Sequence, residues 1–173
     1  MMIQIGVIGS GSIISKEVYQ IAEEVGEEIA KNNGILICGG KGGVMEAVCK
    51  GAQKYNGITV GILPSIHPSE ANKYVSIKIP TNLGEKRNYI IIQSIQAVIC
   101  ISGAVGTRME AEYALKRGVP LITIPKTGGT SQEITKQFPD RVITATSGKD
   151  AVKKALKEAT KISLEKPRYK IFY

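Results

Sequence analysis

The sequence has 173 residues, 43% of them hydrophobic, and its 23 lysines and arginines against 15 aspartates and glutamates leave a net charge of +8. That length holds one well-buried core, so a single domain spanning residues 1–173 is expected. The lone histidine, His67, has no ligand cluster around it, which argues against a structural zinc site or a histidine-based triad; the odd set Cys38, Cys49 and Cys100 argues for buried, reduced thiols and against a disulfide framework.

The basic excess is uneven. From Lys149 onward eight basic residues face three acidic ones, so the charge belongs mainly to the last helix and the tail "KPRYKIFY". A solvated basic helix accounts for it better than nucleic-acid binding does, and a nucleic-acid partner is not expected. No apolar run reaches membrane-spanning length, and no basic region followed by an apolar stretch opens the chain. A soluble cytoplasmic protein without a membrane partner is the expectation.

In chain order, "IQIGVIG" (3–9) reads as a strand and residues 16–32 as an amphipathic helix with Val18, Ile21, Ala22, Val25 and Ile29 on one face, capped by Ser15. A second strand (34–40) ends in glycines, a helix follows over 42–55, and a third strand covers 57–64. The short run 75–79 precedes a helix over 82–95, for which Asn82 to Glu85 supply a candidate cap. Strands at 97–102 and 120–125 flank the helix of "GTRMEAEYALKRG". The last elements are a strand at 141–146 and a helix from about Lys149 to Thr160. The strands are continuously apolar, as they are when helices cover both faces, so the chain is assigned to the α/β class: a three-layer, Rossmann-like fold with a mainly parallel sheet.

Such folds bind ligands at the carboxyl ends of their strands. Three glycine clusters fall there: Gly9, Ser10 and Gly11; Gly39, Gly40, Gly42 and Gly43; and Gly103, Gly106 and Thr107. The first carries Ile14 where a dinucleotide fingerprint needs a small residue, and the second strand ends in Cys38 instead of an acidic ribose ligand, so an ordinary nicotinamide or flavin site is disfavoured. Lys41 is followed by Gly42, which excludes a P-loop. Four glycines within five positions exceed the needs of a turn and suggest close backbone approach to a ligand. Glu110 fits two roles: the far end of a capping box begun by Thr107, or a carboxylate that acts in the pocket.

The segments "CGGKGGVMEA", "EKRNYIII" and "SGAVGTRMEAEYALKRGVPLI" resemble the lonely-guy (LOG) family, long mislabelled as lysine decarboxylases, and its relatives, the molybdenum-cofactor carrier proteins and the DNA-processing protein A fold group. That family's pattern is Gly-Gly-x-x-Gly-x-Met, an Arg-Lys pair, then Pro-Gly-Gly-x-Gly-Thr-x-x-Glu. The resemblance implies Arg87 and Glu110 as catalytic residues, the three glycine clusters with Met45 and Asn88 as ligand and phosphate contacts, no metal ligands, and a homodimer or higher homo-oligomer. It implies a phosphorylated small-molecule partner, a nucleoside monophosphate or a pterin, and no required cofactor, with a bound nucleotide or molybdenum cofactor as the possible occupant. The activity implied is phosphoribohydrolase cleavage of a nucleoside 5'-monophosphate; the alternative is a non-catalytic carrier or sensor. Ser102 stands for the motif proline, Ala104 for a glycine, Asn88 for the lysine and Gln96 for an aspartate, and these departures lean toward the carrier-like branch.

Overall fold

A computed structural model describes residues 2–12 and 14–164. Its seven strands are β1 (Gln4–Gly9), β2 (Ile35–Cys38), β3 (Ile58–Leu63), β4 (Ile77–Pro80), β5 (Ala97–Ile101), β6 (Leu121–Thr123) and β7 (Ile143–Thr144). They form one sheet in the order β4-β3-β2-β1-β5-β6-β7, and every neighbouring pair is parallel. The helices are α1 (Lys16–Lys31), α2 (Val44–Gln53), α3 (Arg87–Gln93), α4 (Val105–Arg117), α5 (Gly129–Gln137) and α6 (Gly148–Leu164). The strand order grows outward in both directions from β1 and β5, so the chain reverses between those two strands. The tail 165–173, where a nucleic-acid contact was weighed, lies outside the described residues. Among the described residues no helix is long and apolar enough to cross a membrane.

Alternation along each buried strand divides the apolar residues between two layers. Ile5, Val7, Leu36, Cys38, Ile99, Ile101, Ile122 and Ile124 pack with α1, α2 and α6, whereas Ile8, Ile37, Val60, Ile62, Val98, Cys100 and Leu121 pack with α3, α4 and α5. This is the three-layer arrangement expected from strands that are apolar at every position. The edge strand β4 departs from it: all four of its residues are exposed, and Lys78 and Pro80 protect the free edge against pairing with another chain.

Ser15 caps α1 by accepting a hydrogen bond from the Val18 N–H at 3.2 Å. Elsewhere the local rules yield to tertiary packing. The helix expected over 82–95 begins as a 3-10 turn (Gly84–Lys86) with no side-chain cap, and Asn82 takes a positive φ of 56° instead of capping. The strand expected at 141–146 shrinks to two residues. Helix α5 carries no apolar periodicity: its buried residues are Thr130, Ser131 and Ile134. It is held by hydroxyls, which is why hydrophobic spacing does not reveal it.

Helices α1 and α2 meet through reciprocal glycines. A Cβ on Gly26 would overlap the Val48 carbonyl, and one on Gly51 would overlap the Glu23 carbonyl. Alanine normally stabilises a helix interior by about 1 kcal/mol over glycine. At Gly26 the overlap reverses that sign, and Gly26→Ala is expected to lower the unfolding free energy by roughly 1–3 kcal/mol in urea titration.

Candidate functional site

The reversal of strand order opens a crevice between β1 and β5, and a cavity of about 340 Å³ occupies it. Four segments build most of its wall, with Val7, Ile8 and Pro64 completing it. Gly9 to Ser12 follow β1; Gly39, Lys41 and Met45 follow β2; Glu85, Arg87 and Asn88 come from the start of α3; Ala104, Gly106, Thr107 and Glu110 come from the end of β5 and from α4. Of the residues expected from sequence, Gly9, Ser10, Gly11, Gly39, Met45, Arg87, Asn88, Gly106, Thr107 and Glu110 are thus brought together. Gly40, Gly42, Gly43 and Gly103 lie outside this wall: Gly40 packs on Leu63 and Gly61, Gly42 faces the Gly11 carbonyl, Gly43 faces the Ser10 and Ser12 carbonyls, and Gly103 abuts Thr107. Their missing side chains let the loops pack on one another. Ser12, Lys41 and Ala104, which belong to the same three strand-end loops, join the wall; so do Pro64 and Glu85, which lie outside those loops and were not expected there.

The bare Cα of Gly39 is what admits Arg87. A Cβ there would overlap both terminal nitrogens of the Arg87 guanidinium and the Met45 sulfur. The Arg87 Nε is buried and has no hydrogen-bond partner among the described residues, and neither does the Asn88 Oδ1. Burial holds the Arg87 pKa below its ordinary value, against the pull of Glu110. A buried guanidinium with an open donor is a seat for an anionic or carbonyl-bearing ligand.

Glu110 does not close a capping box. Helix α4 starts at Val105 with Ala104 as its N-cap and no side-chain cap bond, so Thr107 is already the third helical residue. The turn begins early because Ser102 and Gly103 take positive φ values of 52° and 105°. Instead of folding back on the helix end, the Glu110 carboxyl points into the protein, 8% exposed. Burial pushes its pKa up to about 7, and the Arg87 charge only partly offsets this. Ahead of it, the backbone N–H groups from Gly103 to Thr107 donate to no acceptor among the described residues; the first paired one is Arg108, to the Ala104 carbonyl at 2.9 Å. Five consecutive open donors at a helix start, with the positive end of the dipole behind them, have the chemistry that accepts an anion.

Among the described residues no group of three or more His, Cys, Asp or Glu is gathered as metal ligands. The three cysteines are free and buried, with the Cys38 and Cys49 sulfurs 3.6 Å apart.

The raised pKa of Glu110 makes stability depend on pH. Unfolded, the carboxyl ionises near its ordinary value of 4.5; folded, it keeps its proton until about pH 7. Between those values the native state binds the extra proton, so stability falls as pH rises through the window and levels off above it. Glu110→Gln is expected to flatten this slope and to exceed the wild type in stability by roughly 2–3 kcal/mol at pH 8, but not at pH 4, in chemical denaturation series.

Several known proteins resemble this chain. A protein of Archaeoglobus fulgidus is 46% identical over 117 residues, covering 68% of this chain and 76% of its own. The molybdenum cofactor binding protein of Rippkaea orientalis superposes with a TM-score of 0.83 at 32% identity, over 91% of this chain and 97% of that one. The molybdenum cofactor carrier protein of Chlamydomonas reinhardtii gives 0.78 at 30%, over 92% and 99%. DNA processing protein A of Helicobacter pylori, at 18% identity and a TM-score of 0.71 over 90% and 80%, shares the fold. The model of the SLOG cluster4 family matches residues 2–158. With its parallel sheet, its crevice at the strand reversal and this match over most of its length, the chain belongs to the SLOG cluster4 family.

Proposed function

We propose that the cavity binds a phosphorylated small molecule of the nucleotide or pterin class, and that the protein carries this ligand instead of consuming it. The observation that supports this most directly is the row of open N–H donors at the start of α4, where Ala104, Gly106 and Thr107 line the cavity, together with Arg87 on the same cavity, whose Nε has no partner among the described residues. A phosphate accepts from the N–H row at the start of α4, and Arg87 supplies the countercharge. The proteins of Rippkaea orientalis and Chlamydomonas reinhardtii, described as binding and carrying the molybdenum cofactor, favour a ligand of that kind. The residues here fit its phosphorylated end. Asn88, Ser102 and Ala104, which depart from the hydrolase pattern, favour carriage over turnover.

Phosphoribohydrolase activity is the second reading, and the observation that favours it is Glu110 in the same cavity as Arg87. Above pH 7 its carboxylate, next to a ribose, would stabilise the positive charge that develops as an N-glycosidic bond breaks. A homodimer or higher homo-oligomer belongs to the same proposal: Tyr89, Val105 and Met109 are exposed apolar side chains on the two helices that wall the cavity, and Val105 is 78% exposed.

Two measurements on one preparation test these readings. Native mass spectrometry of freshly purified protein is expected to show a bound phosphorylated species that Arg87→Ala loses, and titration with AMP is expected to show affinity weakened about 10- to 100-fold in that variant. No free base is expected from a panel of nucleoside monophosphates. Base release by the wild type that vanishes in Glu110→Gln would replace carriage with hydrolysis, and failure to bind any phosphorylated ligand would remove both.

A further inference from the structure

Helix α5, which lines no part of the cavity, grips the loop that forms the anion site. The Ser131 N–H donates to the Ser102 carbonyl at 3.1 Å and the Thr130 N–H to the Gly103 carbonyl at 3.0 Å. The Thr130 hydroxyl donates to the Ala104 carbonyl at 3.0 Å. Thr127, in the turn before α5, accepts the Ser102 N–H on its Oγ1 at 2.7 Å and donates the same hydroxyl to the Ile124 carbonyl at 2.7 Å. Ser131 ties the strand ends below, donating to the Cys100 carbonyl and accepting the Ile124 N–H, each at 2.9 Å. Thr127, Thr130 and Ser131 are 6%, 2% and 0% exposed.

In a trans peptide the carbonyl of one residue and the N–H of the next point in opposite directions, and no cis bond occurs here. Three successive carbonyls, of Ser102, Gly103 and Ala104, are engaged by α5. The N–H groups of Gly103, Ala104 and Val105 therefore point away from α5, and of this stretch Ala104 lines the cavity, as do Gly106 and Thr107 after it. The clamp also explains Ser102. Its φ of 52° is costly for a residue with a Cβ, and its N–H is in use, so proline, fixed near −65° and lacking that hydrogen, fits this position on neither count.

We propose that Thr127, Thr130 and Ser131 are positioning residues of the anion site: they hold the Ser102–Ala104 backbone in the one orientation that presents its N–H groups to a ligand phosphate. This rests on the reading of the cavity as a phosphate site. Thr127→Val keeps the side-chain shape and removes the hydroxyl; Thr127→Ser keeps the hydroxyl and removes a methyl. With the full chain, and AMP and inorganic phosphate as probes, Thr127→Val is expected to weaken both at least about tenfold, while Thr127→Ser stays within about threefold of the wild type. Gly26→Ala, destabilised far from the loop, serves as the control and is expected to keep wild-type affinity, which separates positioning from a general loss of stability. If Thr127→Val does not fold, Thr130→Val removes the Ala104 anchor instead and carries the same expectation. A folded hydroxyl-deleted variant that binds both probes within twofold of the wild type overturns the inference. A wild type that binds neither probe overturns the phosphate reading itself, before any variant is compared.

Discussion

The structure depends on one geometric constraint. Parallel strands must be joined by crossovers of one hand, so a sheet that grows in both directions from its middle sends its helices to opposite faces there. Here that place is the seam between β1 and β5. Neither the loop after β1 nor the loop after β5 can run over the top of the other, and a crevice is left between them. The glycine loop after β2 and the start of α3 reach the same edge. The site therefore follows from strand order before any side chain is considered.

Side chains then give the crevice two signs of charge within a small volume. The N–H row at the start of α4 and the Arg87 guanidinium are positive, while Glu110 is the carboxyl buried beside them. Burial opposes both charges, and each partly sustains the other through their mutual attraction. The outcome is a carboxyl poised near neutrality and a guanidinium with an open donor, a combination suited to a ligand that carries both an anion and polar ring atoms. Gly39 makes it possible, since any side chain there would take the space that the guanidinium fills.

The hydroxyl residues of α5 and its preceding turn show how distant sequence enters the site without touching the ligand space. A β5–α4 loop with two residues at positive φ has lost the local preferences that would hold it. Its shape is stabilised by hydrogen bonds from Thr127, Thr130 and Ser131, about 25 positions along the chain. The departure from the family pattern at Ser102 and these hydroxyls form one unit, because the Ser102 N–H exists to be bound by Thr127.

Sequence alone determined much of this protein. Continuous apolar strands alternating with helical spacing fixed a parallel sheet covered on both faces, since only burial on both sides calls for apolar residues at every position. Glycine clusters after β1, β2 and β5 marked the edge where the cavity opens, and the resemblance to the LOG pattern picked out Arg87 and Glu110, which share that cavity. What tertiary structure decided were the points where local rules compete. Thr107 to Glu110 match a capping box, but the turn at Ser102 and Gly103 starts the helix three residues sooner and sends Glu110 inward. Gly40, Gly42, Gly43 and Gly103 read like their neighbours, yet contacts between loops place them behind the wall. Helix α5 was invisible because its buried face is built from hydroxyls, whose hydrogen-bond partners exist only once β5 and α4 are in place.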